Sequence, residues 1–170
     1  MAILRCTKKL LTELKTPNGD VIQTPNELNS WHVNLFRVDR RKCVIFTHDR
    51  TLYSFLALGL TKPDFQHFKE IFRQGLFKNL MADGIPKKQI IKVLLDDLQN
   101  IEFARTNNRS VLGSMNDLVF QVKSQISVWG GYSNVDIDKV NHYINRIPMS
   151  AIEKVFSIYE MQAFLSHFEK

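Results

Sequence analysis

Cysteine is scarce in this sequence, and no long hydrophobic run is present. The 170 residues contain only two cysteines, Cys6 and Cys43, at a spacing that fits neither a disulfide framework nor a Cys-X-X-Cys motif. We therefore expect two reduced, buried thiols and a cytoplasmic protein. The longest apolar run, residues 55–60, is far shorter than the roughly 18 residues that a membrane-spanning helix needs, so we predict no membrane partner.

Recognisable metal and nucleotide motifs are also missing. The seven glycines form neither a Walker loop nor a dinucleotide-binding loop, which excludes a standard P-loop hydrolase. None of the five histidines pairs with another histidine at the four-residue spacing of a helical zinc site. From these absences we predict no metal and no cofactor.

Apolar and basic residues are plentiful. Hydrophobic residues make up 44% of the chain and include 12 phenylalanines, which favours a single globular domain over residues 1–170. Lysine and arginine number 23 against 17 aspartate and glutamate, a net charge of +6. This moderate excess permits DNA, RNA or another phosphate-bearing ligand as a partner.

Hydrophobic periodicity predicts an α+β fold with a small, mostly antiparallel sheet packed by about five helices. The predicted strands are residues 2–7, 31–38, 42–48, 52–58 and 101–104. The predicted helices are residues 64–82, 86–99, about 110–129, 136–147 and about 159–168. Residues 15–30 are rich in Thr, Pro, Asn and Gly and are predicted to form a surface loop.

Residues 103–118 hold the densest run of hydrogen-bonding side chains. They lie where the last predicted strand meets a helix, and Ser110 suits the N-cap of that helix. Free backbone amides and cationic side chains would converge there, as at other anion sites on helix N-termini. The candidate anion-binding residues in this stretch are Arg105, Asn107, Asn108, Arg109, Ser110, Ser114 and Asn116.

Three further arginines join this candidate site, and one alternative stays open. Arg40 and Arg41 lie at the tip of a predicted hairpin, where they would complete an anion-binding groove if the fold placed them beside Arg105 and Arg109. Arg50 lies in a later turn. The alternative is that Asn107 and Asn108 form only an Asx turn joining strand to helix.

A second functional hypothesis is a metal-independent hydrolase or nuclease. His48 would act as the base, with Asp49, Arg50, Arg105 or Asp117 in support. Alternation along a strand points His48 and Asp49 in different directions, so both would reach one site only if the chain bends between them. The simpler interpretation of the His-Asp-Arg sequence is a turn.

A third hypothesis is a module that binds a protein partner. The abundant aromatic residues would serve an interface, including that of a homodimer. Systems of this kind include toxin–antitoxin pairs, defence systems and mobile elements.

The sequence also resembles a family of small prokaryotic proteins known as a domain of unknown function. The resemblance rests on five segments, of which TNNRSVLGSMND at 106–117 is the most distinctive; the others are 3–11, 31–52, 72–77 and 145–150. It implies a bacterial or archaeal intracellular protein. It implies no activity and no catalytic residue.

Overall fold

A computed structural model of the chain describes residues 1–16 and 29–168, so most of the predicted loop at 15–30 lies outside the described residues. The strands are β1 (Ala2–Cys6), β2 (Ser30–Val38), β3 (Arg41–His48), β4 (Ser54–Leu60) and β5 (Ile101–Arg105). The helices are α1 (Lys8–Glu13), α2 (Lys62–Gln66), α3 (Phe68–Ala82), α4 (Lys87–Gln99), α5 (Arg109–Val128), α6 (Ile137–Ile144) and α7 (Ser157–His167), with a 3-10 helix at Tyr132–Asn134.

The five strands form one mixed sheet in the order β4-β3-β2-β1-β5. The α+β class is confirmed, but the prediction of a mostly antiparallel sheet is wrong, because β1 is parallel to both β2 and β5. Only the β2–β3 and β3–β4 pairs, joined by short turns, are antiparallel. The chain between β1 and β2 includes α1 and is long enough for the crossover that a parallel pair requires.

Helices are more numerous than the sequence predicted. The single helix expected at 64–82 is two, α2 and α3, separated at His67. Asp64 and Thr61 form a capping box that starts α2, and His67 has a non-helical backbone (φ −112°, ψ 29°) that ends it. None of the described helices is long and apolar enough to cross a membrane.

Helices cover both faces of the sheet. One apolar cluster joins the sheet to α1, α2, α3, α4 and α7, and a second joins the opposite face to α5 and α6. Cys6 lies in the first cluster and Cys43 in the second, and both are free thiols. Burial raises the pKa of both thiols, which keeps them protonated and unreactive.

Two asparagines, one in helix α6 and one at its C-cap, pair with the open edge of β4. Asn141 Oδ1 accepts the Leu56 amide at 2.8 Å. Asn145 Oδ1 accepts the Ser54 amide at 2.8 Å, while Asn145 Nδ2 donates to the Ser54 carbonyl at 2.7 Å. Residues four apart lie on one helix face, so the two amides substitute for a sixth strand.

Replacing Asn145 with leucine tests this edge pairing. Asn145→Leu should lower the free energy of unfolding by about 3 kcal/mol, because the buried backbone groups of Ser54 and the Ser157 hydroxyl lose their partner. Urea denaturation measures the change. The matched control is Asn100→Leu, an exposed asparagine, for which we expect a change within about 0.5 kcal/mol. Equal losses in the two variants would contradict the pairing.

Candidate functional site

The polar stretch after β5 is a tightly bonded joint between a strand and a helix. Asn108 is the N-cap of α5, and its side-chain oxygen accepts the amides of Ser110 and Val111 at 3.0 and 3.2 Å. The prediction of Ser110 as the N-cap is therefore wrong: α5 begins at Arg109, and Ser110 lies inside the first turn. Both residue types cap helices well, and the position of the loop selects Asn108.

The loop is held in position by His32, which is fully buried in β2. His32 Nε2 lies 3.3 Å from the amide nitrogens of both Asn107 and Asn108. Its Nδ1 lies 2.6 Å from Asp49 Oδ1. Backbone amides only donate, so Nε2 is the acceptor, and the ring proton on Nδ1 is donated to Asp49.

Asp49 connects the hydrogen bonds of His32 to the parallel strands β1 and β2. Ser30 Oγ donates to Asp49 Oδ2 at 2.7 Å and accepts from Arg5 Nε at 3.0 Å. Arg5 Nε also lies 4.0 Å from Asp49 Oδ2. The network thus ties β1, β2, the turn after β3 and the loop before α5 into one buried polar cluster, in which each connection satisfies a buried group.

These contacts use the amide donors expected to bind an anion. The amides of Asn107 and Asn108 serve His32, and those of Ser110 and Val111 serve the N-cap. Arg109 remains exposed. Since four donors already have protein acceptors, the geometry favours the turn interpretation of this stretch over the anion site.

The remaining candidates of the stretch point elsewhere. Asn116 Oδ1 accepts from Asn34 Nδ2 at 3.4 Å, towards the sheet. Ser114 and Asp117 line a different cleft of about 280 Å³, formed by α5 and residues 147–151. These three side chains therefore do not converge with the amides before α5.

Arg40 and Arg41 lie at the opposite end of α5 from Arg105 and Arg109. The guanidinium of Arg41 is 4.3 Å from the centre of the Tyr132 ring, just beyond the C-terminal end of this helix. The 20 residues of α5 span about 30 Å. The predicted groove combining the two arginine pairs is therefore not formed.

His48 lies on the face of the sheet away from Asp49, in an apolar environment. Its ring centre is 5.0 Å from that of Trp31 and 4.9 Å from that of Phe164. His48 Nδ1 is 2.9 Å from Thr51 Oγ1, and the residue is 1% exposed. A general base needs access to a substrate proton, and this packing provides none.

The other groups of the hydrolase hypothesis do not surround His48. The guanidinium of Arg50 lies 5.7 Å from the Phe164 ring, on the exposed side of the same cluster. Asp117 is exposed on α5, which packs on the other face of the sheet. No group of three or more His, Cys, Asp or Glu among the described residues is placed to hold a metal ion.

A cationic cleft of about 450 Å³ separates the β2–β3 hairpin tip from the end of α5. We call it the tip cleft. Its lining includes Arg37 and Asp39 from the hairpin and Lys123, Ser127 and Gly130 from α5 and the turn after it. The Asp39 carboxylate already accepts the Tyr132 amide at 2.8 Å, which fastens the hairpin to the end of the helix.

Four positive side chains surround or adjoin the tip cleft. Arg37 and Lys123 line it, and two exposed arginines adjoin it, Arg40 in the turn and Arg41 at the start of β3. Arg37 Nη1 donates to the Arg40 carbonyl at 2.9 Å, which places its guanidinium beside the turn. Sequence reasoning found Arg40 and Arg41 but missed Arg37 and Lys123, although Arg37 stands close to the basic tip in the sequence.

A further cavity has a different character. It measures about 640 Å³ and lies between α3, α5 and α6. Its charges are paired: Lys78 bonds Asp138 at 3.0 Å, and the nearly buried Asp83 bonds Arg146 at 3.1 Å and the Tyr53 hydroxyl. Burial and the adjacent Asp83 raise the pKa of Tyr53. Its lining carries three carboxylates, Asp83, Asp136 and Asp138, against two lysines, Lys78 and Lys139, so this cavity does not select an anion.

Comparison with known proteins gives one match. The model of a family described as a domain of unknown function, DUF6933, matches residues 3–160. No curated protein and no solved structure matches the chain significantly. The resemblance to an uncharacterised domain family is thereby confirmed, and prokaryotic origin stays a prediction.

Replacing His32 tests whether it holds the loop before α5. His32→Leu should lower the free energy of unfolding by about 3 kcal/mol, because two backbone amides and the Asp49 carboxylate lose a buried partner. Hydrogen exchange at the amides of Asn107 and Asn108 should also accelerate. The exposed His67 provides the control, since His67→Leu removes no side-chain bond to that loop. Unchanged exchange at both amides in His32→Leu would refute this role.

Proposed function

Because the chain belongs to the DUF6933 family, whose description carries no activity, we propose its function from geometry: it binds a phosphate-bearing ligand in the tip cleft. One observation carries the proposal. Arg37 and Lys123 line a cleft of about 450 Å³ beside the exposed Arg40 and Arg41, and these four positive charges outnumber the one carboxylate in the lining, Asp39. A bound phosphate would supply the negative charge that balances these side chains.

The types of side chain at the tip cleft suit phosphate. A guanidinium donates two parallel hydrogen bonds to phosphate oxygens, and a lysine adds a mobile point charge. Arg37 and Lys123 offer these groups from opposite walls of the cleft. Arg40 and Arg41 extend the positive surface over the turn, where a longer phosphate chain or a nucleic-acid backbone would continue.

The dipole of α5 opposes anion binding in the tip cleft, but its effect is smaller than that of the positive side chains. The C-terminal end of α5 carries about half a negative charge and the Asp39 carboxylate one more, against two positive charges that line the cleft, Arg37 and Lys123, and two that adjoin it, Arg40 and Arg41. The terminal carbonyls of Ile126 and Ser127 also accept the amides of Gly131 and Gly130, and the Trp129 carbonyl accepts from Asn134. The net field at the cleft therefore favours an anion.

We also propose that the protein is cytoplasmic. Cys6 and Cys43 are buried in separate clusters on opposite faces of the sheet, so they cannot pair in the folded chain. Free, buried thiols are the usual state of cysteine in a reducing compartment.

Charge reversal on α5 tests the tip cleft. Binding of inorganic pyrophosphate by calorimetry, and of a fluorescent single-stranded oligonucleotide by anisotropy, should weaken more than about tenfold in Lys123→Glu, because one attraction becomes a repulsion. The affinity for the oligonucleotide should also fall steeply with added salt. Pyrophosphate binding alone would indicate a small ligand, and oligonucleotide binding alone a nucleic acid.

Arg109→Glu is the matched control for this experiment. It makes the same charge change on the same helix, at an exposed position near the other end. We expect less than about a threefold effect, since its distance from the tip cleft exceeds the Debye length of about 8 Å at physiological salt. Equal effects of the two variants, or no binding of either probe at low salt, would overturn the proposal.

A further inference from the structure

The cavity of about 640 Å³ between α3, α5 and α6 has the size of a small-molecule site. We call it the interhelical cavity; its walls include Asn79 and Ala82 of α3, Gln125 and Trp129 at the end of α5, and His142 and Tyr143 of α6. Sites for small organic ligands commonly measure about 300–1,000 Å³. The volume therefore suits a compact organic molecule.

Buried hydrogen bonds fix the elements around the interhelical cavity. Asp83, whose side chain is 4% exposed, accepts the Tyr53 hydroxyl at 2.5 Å and Arg146 Nη1 at 3.1 Å. Arg146 Nη1 also donates to the His142 carbonyl at 2.8 Å. These bonds join the end of α3 to α6 and to the residue before β4. Because a satisfied buried network is rigid, the cavity is formed before a ligand arrives.

The charged groups of the interhelical cavity already have partners. Lys78 Nζ lies 3.0 Å from Asp138 Oδ1, and Asp83 is paired with Arg146. Asp136 is the N-cap of α6, and its Oδ1 accepts two backbone amides. All three carboxylates of the lining are thus engaged, which leaves little attraction for a cationic ligand. Since their number also disfavours an anion, the cavity suits a neutral ligand.

Uncharged polar groups of the lining, by contrast, are available to a ligand. Within the described part of the chain, the Gln125 carboxamide, the Trp129 indole N–H and the Tyr143 hydroxyl have no hydrogen-bond partner. Asn79 Nδ2 donates to the Gly75 carbonyl at 2.7 Å, and Asn79 Oδ1 stays available as an acceptor. Gln125, Trp129 and Asn79 are half-buried. A ligand that carries both donors and acceptors would satisfy these groups.

We propose that the interhelical cavity binds a neutral, amino-substituted nitrogen heterocycle of the nucleobase class. A carboxamide presents a donor and an acceptor side by side, which matches the adjacent acceptor and donor on the edge of adenine. Gln125 supplies this pair, and Asn79 Oδ1 accepts a further N–H of the ligand. Trp129 and Tyr143 supply aromatic surface for a flat ring.

This site is separate from the tip cleft, although both use the end of α5. Side chains two positions apart on a helix point about 200° apart. Gln125 therefore lies on a different side of α5 from Lys123, and the two residues line different cavities. Heterocycle binding accordingly does not rest on phosphate binding in the tip cleft.

An NMR titration with adenine tests the proposal. The chain has two tryptophans, and Trp31 is buried in the core at 1% exposure, so its indole signal is an internal control. Adenine should shift the Trp129 indole N–H signal saturably, with a Kd of about 1 mM or tighter, and leave the Trp31 signal in place.

Two other probes test the class of ligand. Phenol has an aromatic ring without the nitrogen edge, and choline is an organic cation; each should bind at least tenfold more weakly than adenine. Phenol binding as tight as that of adenine would mean that the cavity accepts any flat ring. Tighter binding of choline would mean that it selects a cation. Either result, or no shift of the Trp129 signal with adenine, overturns the proposal.

Variants of the lining locate the binding. Gln125→Leu should weaken adenine binding at least tenfold, and its fold should be intact because this side chain bonds to no described residue. Ala82→Phe should abolish binding by filling the cavity from an exposed position. The matched control is Gln121→Leu, the same change one turn earlier on α5 in a different cleft, which should bind adenine normally. Equal weakening in the two glutamine variants would refute the site.

Lys123→Glu separates this proposal from the tip cleft. Because adenine is neutral, this charge reversal should leave its affinity unchanged while phosphate binding weakens. Loss of adenine binding in Lys123→Glu as large as that in Gln125→Leu would place the heterocycle in the tip cleft and overturn the assignment to the interhelical cavity.

Discussion

Buried backbone groups must find hydrogen-bonding partners, and side chains satisfy that requirement at both ends of this fold. At the open edge of β4, Asn141 and Asn145 accept and donate the bonds that a further strand would have made. Beyond β5, His32 accepts two amides of the loop that leads into α5. The positions of α5 and α6 on the sheet follow from these few polar contacts as well as from apolar packing.

Helix α5 is fixed at both ends, and this decides where backbone donors and cationic side chains are exposed. The His32 contacts hold its start, and the Asp39 carboxylate holds the turn after its end through the Tyr132 amide. The first attachment consumes the donors that make a helix start attractive to anions. The second brings Lys123 to the basic hairpin and so creates the tip cleft.

Local patterns predicted much of the fold, because the β2–β3 hairpin and the long helices depend on neighbouring residues. Strand direction was not predictable, since a strand buried on both faces has the same apolar pattern in parallel and antiparallel pairs. For the site, the sequence indicated Arg40 and Arg41 but grouped them with Arg105 and Arg109. The two arginine pairs lie at opposite ends of α5. Separating them required knowing which way α5 runs across the sheet, and contacts between residues distant in the sequence determine that direction.

The capping of the β4 edge also affects how readily the protein aggregates at high concentration. An uncovered edge strand is a template on which another chain can add a strand and begin to aggregate. At this edge the amides of Asn141 and Asn145 occupy the positions that an incoming strand would take. The opposite edge, β5, exposes the charged residues Glu102 and Arg105, which discourage such additions. The sheet is thereby protected against edge-to-edge polymerisation at both sides, although its strands are rich in aromatic and branched residues.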